Sequence, residues 1–293
     1  MRITAGMSQR HVLADLRRVQ ERLSDAQSQV SSGKRVERPS DDPLAAERAT
    51  RLRDELATTS AYRTGVDESR SWLDATDGAL QSLNDIVQTA RQLTVQAANG
   101  ATTPAARQSI KTQVDALTEQ LKTTLNSAYD GRYLFSGTAT DTAPYDVNSA
   151  SPDAYQGDAN PVARQIGPGV SVQVNVTADD LLSGLLPAMR ALSSHLAAND
   201  AAALQTTDLR AIDAGLDTIV TARSQIGAVT NRVDAAGLRL DDLHDVTKAF
   251  LSTTEDADLP QALVDLSAQQ NALQSALRGG STLIQQSLMD FLR

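Results

Sequence analysis

The sequence predicts a mainly α protein: an elongated antiparallel helical bundle, or coiled-coil rod, formed by the N- and C-terminal halves, with a small β-rich inserted domain. Three observations predict it. Apolar residues recur at alternating three- and four-residue spacings through most of the chain. One such run, Pro43 to Ala98, meets no helix breaker stronger than Gly65 and Gly78. Only residues 132–180 abandon the pattern, with frequent Pro, Gly, Asn and Asp. A helix from Pro43 to Ala98 spans ~80 Å, whereas a globule of this chain length is about 50 Å across. That helix cannot fit inside a sphere, so a rod is expected.

The elements follow in order. Leu13, Leu16, Leu23 and Val30 share a seam on the first helix, which stops at Gly33. Lys34–Pro39 is a basic connector. Ser40-Asp41-Asp42-Pro43 opens the next helix. Asp42 caps its free amides, and Pro43 suits the first position because it has no N–H to leave unpaired. Pro39, Asp42 and Pro43 are therefore assigned to a helix-cap motif. Leu73, Leu80, Leu83, Val87, Ala90 and Ala97 keep one seam until Asn99-Gly100 ends the helix. Thr103-Pro104 repeats the start signal. Ile110, Val114, Leu117, Leu121, Leu125 and Ala128 then predict helix up to Gly131.

Five of the nine aromatics lie between 129 and 155. Val170-Ser-Val-Gln-Val-Asn-Val176 alternates as a half-buried strand does, after turn chemistry at Gly167-Pro168-Gly169. Helix is expected again from Leu186-Pro187 to Ala198, with a break at Asn199-Asp200. A coiled-coil seam follows: Leu209, Ile212, Leu216, Ile219, Arg223, Ile226, Val229, Val233, Ala236, Leu240, Leu243, Thr247, Phe250. Two three-residue steps meet around Ile226, a slip that locally overwinds a coiled coil. Arg223 on that seam either snorkels to solvent or pairs with an acid on the first long helix and fixes register. Asp258-Leu-Pro260 starts the last helix, whose seam is Leu263, Leu266, Leu273, Leu277, Ile284, Leu288 and Phe291, with a weak point at Gly279-Gly280.

The expected division is therefore terminal helices at 1–40 and 255–293, a helical rod at 41–137 and 181–254, and a β-rich outer domain at 138–180. The terminal helices carry wide apolar stripes. Two helices paired alone have no third layer to cover them, which points to burial between molecules. The expected assembly interface is Ile3, Met7, Leu13, Leu16, Leu23, Leu277, Ile284, Leu288 and Phe291.

Composition excludes several classes of chemistry. The chain has no Cys, so disulfides, thiolate metal sites and a cysteine nucleophile are absent. His11, His195 and His244 are scattered, and the two on helices read as exposed helix residues rather than ligands. No phosphate-cradling, dinucleotide, zinc-hydrolase or serine-hydrolase motif occurs. Asp41-Asp42 reads as a cap rather than a carboxylate pair. Asp141, Asp146 and Asp158 lack an EF-hand's spacing and read as a solvated acidic surface. Asn175-Val-Thr177 fits a glycosylation acceptor by chance. No catalysis, cofactor or metal is expected.

The net charge of −9 is uneven. Residues 1–40 hold eight Lys/Arg against four Asp/Glu, and the rest nineteen against thirty-two. The acidic balance argues against nucleic acid as a partner. No membrane partner is expected either, because no apolar run reaches spanning length. The first ten residues lack a secretory signal's apolar core.

Several segments resemble the bacterial flagellin family. Arg2-Ile-Thr4…Met7 looks like a flagellin start. Gly33-Lys-Arg35…Arg38-Pro-Ser-Asp-Asp-Pro43 is similar to the family's N-terminal motif, and Gln96-Ala-Ala-Asn99-Gly100 to the end of its first long helix. Arg223-x-x-Ile226-Gly-Ala228-x-x-Asn231-Arg232 resembles its C-terminal signature, and Ser287-Leu-Met-Asp290-Phe-Leu292 its tail. On this resemblance Arg223, Ile226 and Asn231 are assigned to rod register. Gly131-Arg-Tyr133-Leu-Phe135-Ser-Gly137 and Tyr155-Gln-Gly157-Asp158 look like the branch of the family that joins hook to filament.

The resemblance implies a structural protein of the bacterial flagellum outside the cell, at the hook–filament junction. Its implied partners are hook-associated protein 1, flagellin, a cytoplasmic export chaperone and the flagellar type III export apparatus. It implies export without a cleaved signal peptide and assembly as a ring in a helical tube. A filament flagellin is the alternative within the family, and a generic coiled-coil adaptor the alternative outside it.

Overall fold

The computed structural model describes residues 5–146 and 153–291, with side chains described for Met7, 10–146 and 153–281. The elements run α1 (Ala5–Ser32), α2 (Pro43–Ala98), α3 (Pro104–Leu125), β1 (Ala128–Tyr129), β2 (Arg132–Tyr133), β3 (Ala163–Gly167), β4 (Val170–Gln173), α4 (Ala178–Leu182) and α5 (Leu185–Ala198). A short helix, α6 (Ala201–Ala203), passes through a π turn (Leu204–Asp208) into α7 (Leu209–Glu255), and α8 (Leu259–Phe291) follows. They form two compact units: residues 59–242, and residues 1–58 with 243–293.

The larger unit holds one continuous hydrophobic core. It draws Leu73, Leu80, Leu83 and Val87 from α2, Ile110, Val114 and Leu121 from α3, Met189, Leu192 and Leu196 from α5, and Ile212, Ile219, Ile226 and Val233 from α7. Those of α2, α3 and α7 are the sequence-predicted seam residues, buried because a stripe at three-four spacing must find another stripe. Within this unit α2 and α7 are antiparallel. Ion pairs along their flank run in opposite numerical order: Arg63–Asp241 (2.8 Å), Arg70–Asp234 (3.6 Å), Asp77–Arg223 (3.0 Å) and Arg91–Asp213 (2.6 Å). The α2 partners stand seven or fourteen residues apart, which keeps them on one edge of the seam.

The boundaries correct several expectations. α3 stops at Leu125, not near Gly131. Asp130 and Gly131 both take positive φ (51° and 73°) and close the tight hairpin β1–β2, the two-residue turn that matches strand twist. The strand expected over Val170–Val176 ends at Gln173, because Asn175 is occupied otherwise. Its buried side chain accepts from the Val162 amide (2.8 Å) and donates to the Asn160 carbonyl (3.1 Å). Helix resumes earlier than Leu186, at α4, where Thr177 caps the Asp180 amide (3.2 Å). The Asn-Val-Thr tripeptide is thus used inside the fold.

The break at Asn199 is present, with φ 56°. The π turn after it was not legible in the sequence. Its Gln205 side chain donates to the Ala98 carbonyl (2.8 Å), and the buried Arg107 donates to Ala97 O (3.0 Å), so both seal the end of α2. Its buried Asp208 bonds to His195 Nδ1 at 2.9 Å, so His195 is a partnered, half-buried residue rather than an exposed one. Of the two glycines read as weaknesses of α2, Gly65 has a use and Gly78 faces open space. A Cβ on Gly65 would lie 3.0 Å from Gln165 O, so this glycine lets β3 press against α2.

Of the acids read as a solvated surface, Asp141 and Asp146 are exposed, whereas Asp158 is part-buried and structural. Asp158 binds back onto the segment after β2: its carboxylate accepts from the Thr138 amide (2.8 Å) and from the Thr138 hydroxyl. That hydroxyl, chiefly, holds the Asp158 carboxyl well below the usual range, at about 2. The Asp158 amide donates to Ser136 O (3.1 Å). The Tyr155 hydroxyl lies 3.0 Å from Phe135 O and 2.9 Å from Asp158 O, placed to donate to either. The segments 131–137 and 155–158, singled out separately in the sequence, therefore interlock.

Gly137 is the tightest point of that interlock. Its φ is +69°, and a Cβ there would fall 2.1 Å from Asp158 Oδ1 and 2.2 Å from Asp158 O. Gly169, at φ +68° in the β3–β4 turn, has open space around it. Gly137→Ala is expected to cost about 2–4 kcal/mol through clash plus strain. Gly169→Ala is expected to cost about 1–2 kcal/mol through strain alone. Urea midpoints of the two variants check the difference.

Candidate assembly interface

The smaller unit is built differently. Among the described residues, its buried apolar side chains are Ala26, Val36, Ala45, Ala49 and Ala262, so none is larger than valine. α1 and α8 pack along each other where Gly280 is buried. A Cβ on it would meet Val12 Cγ1 at 3.2 Å and Leu16 Cδ1 at 3.9 Å. The expected weak point at Gly279-Gly280 is thus a site of close helix approach within an unbroken α8.

Polar contacts at one joint compensate for the thin core. The Glu255 side chain, 4% exposed, receives both Lys34 and Arg53. Its carbonyl accepts from the Arg35 amide (2.7 Å), Arg35 also donates to Thr254 O (2.8 Å), and the Ala257 amide returns to Gly33 O (2.9 Å). The basic connector is therefore fastened onto the turn between α7 and α8. Next to it, Asp41 accepts from the Arg38 amide (2.8 Å), and Asp42 Oδ1 accepts from the Ala45 amide (3.0 Å), with Pro43 as the first residue of α2. Those amide bonds hold both carboxyls below their ordinary value.

The expected interface residues divide as follows. Met7, Leu13 and Leu277 are 46%, 56% and 52% exposed, while Leu16 and Leu23 are half-buried. Ile3 lies outside the described residues, as do the side chains of Ile284, Leu288 and Phe291. The open apolar surface is wider than the sequence suggested. Fifteen large apolar side chains stand exposed among the described residues, and ten belong to the smaller unit. They include Leu243 and Phe250, expected on the coiled-coil seam, and Leu263 and Val264 of α8. On the end of α7 only Thr247 of that seam is buried, so the stripe there faces outward. Exposed large apolar side chains are thus concentrated in the smaller unit.

The rod residues also separate. Arg223 is paired: its Nε donates to Asp77 Oδ1 (3.0 Å), and it also reaches Gln81. The acid is on the first long helix, yet both partners stay part-exposed, so the pair is not a buried one. Ile226 is buried and Asn231 exposed. Glu255 was missed, because nothing local marks an acid whose partners lie some two hundred residues away. Among the described residues no cluster of three His, Asp or Glu could hold a metal ion. None of the described helices is long and apolar enough to cross a membrane.

Two substitutions test these contacts. Replacing Lys34 and Arg53 together with Met strands a buried carboxylate and is expected to cost about 3–5 kcal/mol. Glu255→Gln leaves two cations that already reach solvent and is expected to cost only about 1–2 kcal/mol. Arg223→Met removes a part-exposed pair and is expected to change stability by less than about 1 kcal/mol. Denaturant midpoints of the intact chain report all three.

The chain is similar to known proteins over most of its length. The bacterial flagellin N-terminal helical region matches residues 3–140, and the bacterial flagellin C-terminal helical region matches residues 209–292. Flagellar hook-associated protein 3 of Escherichia coli (strain K12) is 27% identical over an alignment covering 85% of this chain and 86% of that protein. Its counterpart in Salmonella typhimurium is 25% identical, covering 95% of each. Flagellins such as that of Bacillus subtilis are similar as well. The solved structure of a flagellar hook-associated protein from Vibrio parahaemolyticus has the same fold, with a TM-score of 0.66 at 24% identity over 74% of this chain and 98% of that one. With both helical regions matched in order along the chain, this protein belongs to the bacterial flagellin family.

Proposed function

We propose that the chain is a non-catalytic structural subunit that joins the flagellar hook to the filament. The observation that carries this reading is the smaller unit, whose helices leave their apolar stripes open while its connector and caps are fully bonded. Such a unit gains stability from burial against neighbouring copies. Contacts between different faces of identical subunits build tubes, so the subunits form a ring within a helical tube. In this reading residues 1–40 and 255–293 are the assembly region, 41–137 and 181–254 the rod, and 138–180 the outer domain. Arg223, Ile226 and Asn231 set register along the rod.

Two features favour the junction over the filament. The relatives matched over most of the chain include hook-associated protein 3 of two bacteria. The interlocked segments 131–137 and 155–158 are those that look like the junction branch. The partners are then hook-associated protein 1 on one side and flagellin on the other. The chain reaches that place outside the cell through the flagellar type III export apparatus, with a cytoplasmic chaperone and without a cleaved signal. The absence of cysteine suits a chain that crosses the apparatus unfolded.

Deleting the gene is expected to leave hooks that shed unpolymerised flagellin into the medium. Hooks that lack filament and shed no flagellin would point to a filament subunit instead. Removing Ser287–Arg293 is expected to block assembly while the helices of the larger unit stay folded. Electron microscopy of isolated hook–filament structures and circular dichroism of the truncated monomer check the two halves of that expectation.

A further inference from the structure

One charged cluster has no part in the assembly reading. Lys122 of α3 is 1% exposed, one of the largest fully buried side chains among the described residues. Its ammonium reaches Glu119 (2.8 Å) and Asp153 (3.1 Å). Arg190 of α5 reaches the same two acids, Glu119 at 2.9 Å and Asp153 at 2.8 Å. The four charges close a ring across α3, α5 and the segment Asp153–Asp158. Around it stand Asp179 of α4 and the rings of Tyr145 and Tyr155, 6.2 Å apart. Asp115, bonded to Lys111 and Ser193, lies beyond Arg190.

The acids of the ring are part-exposed, with side-chain exposures of 36% for Asp153 and 50% for Glu119, whereas Lys122 is not exposed at all. That asymmetry has a consequence. Protonating both acids leaves an ammonium in the interior with no counter-charge, which a protein interior does not tolerate. Water must then reach Lys122. The ring can open where Asp153 meets the helices, because Glu119 and Lys122 share α3 and cannot separate far.

We propose that the ring is an acid-released latch: it docks Asp153–Asp158 onto α3 and α5, and protonation undocks that segment while the helices stay folded. The buried Lys122 converts the loss of charge into movement. Arg190, chiefly, holds the Asp153 carboxyl down at about 2 in the folded state, against an ordinary value of 3.8. A folded value below the unfolded one stabilises the docked state above the unfolded value. The latch is therefore closed above about pH 4 and opens as pH falls towards about 2. Asp158 titrates over the same range through its bond to Thr138, so the test must separate the two.

Hydrogen-exchange protection of the full chain, corrected for intrinsic rates, is compared at pH 5 and pH 2.5 for Asp153–Asp158 and for Val114–Leu121. Protection of Asp153–Asp158 is expected to fall about tenfold or more, at roughly tenfold per pH unit between the two carboxyl values. Val114–Leu121 is expected to keep its protection. Lys122→Met has no buried charge to hydrate but keeps the Arg190–Asp153 pair, so it is expected to open in acid markedly less than the wild type. Asp153→Asn is expected to be loosened already at pH 7. Loss of protection in both segments together, or a Lys122→Met variant that opens as fully as the wild type, would overturn the latch. So would an Asp153→Asn variant as protected at pH 7 as the wild type. Asp158→Asn removes the competing titration at Thr138 and is expected to open over the same pH range as the wild type, whereas an Asp158→Asn variant that stays protected in acid would overturn the latch.

Discussion

Antiparallel burial of the α2 seam against α7 is the constraint on which the larger unit rests. Leu73, Leu80 and Val87 on one helix and Ile219, Ile226 and Val233 on the other are fully or almost fully buried. Each such side chain is worth about 1.5–3 kcal/mol relative to exposure. The four flanking ion pairs are part-exposed and worth at most about 1 kcal/mol each. The seam therefore supplies the stability, and the ion pairs choose among registers that would bury similar amounts. Everything else in the unit leans on that pair: α3 and α5 complete its core, and β3–β4 presses on Gly65.

The smaller unit shows what happens when the seam is not closed. Its described interior is alanine, one valine, a threonine, a glycine and a buried glutamate, and its larger apolar groups are half-buried or face outward. Local order there comes from directional bonds: the Glu255 joint, the Asp41 turn and the Asp42 cap. Such bonds define geometry well and contribute little net stability, because the unfolded chain satisfies the same groups with water. A unit of this kind is suited to completion by a neighbour. The segment that resembles the family's N-terminal motif builds the joint with Glu255.

The small β-rich region has a similar logic. It is too short for a core of its own, and it borrows one from the helices through Phe135, Tyr145 and Val172. Its remaining order is polar. Asp158 and Tyr155 clamp the segment at Gly137, Asn175 ties the strand's end to the Asn160–Val162 backbone, and the Lys122 ring docks Asp153. Apart from Lys122–Glu119 within α3 and Tyr155–Asp158, these contacts join residues thirteen to seventy-one positions apart, and each depends on a single side chain reaching its partner.

Spacing alone determined the helices, most of their ends and the seams, because helical periodicity and capping are local physics written into neighbouring residues. The starts at Pro43, Pro104 and Leu259 show this, as does the break at Asn199. The hairpin at Asp130-Gly131 is local turn chemistry that the helical seam masked, whereas the early end of β4 and the π turn were decided by tertiary contacts. There, one hydrogen bond to a distant backbone outweighs a propensity of a few tenths of a kcal/mol per residue. The same holds for the candidate surfaces. The apolar stripes were legible, since they follow from spacing. Which stripes stay open, and that Arg223 pairs with Asp77 while Glu255 holds Lys34 and Arg53, depended on where the folded chain places residues up to two hundred positions apart.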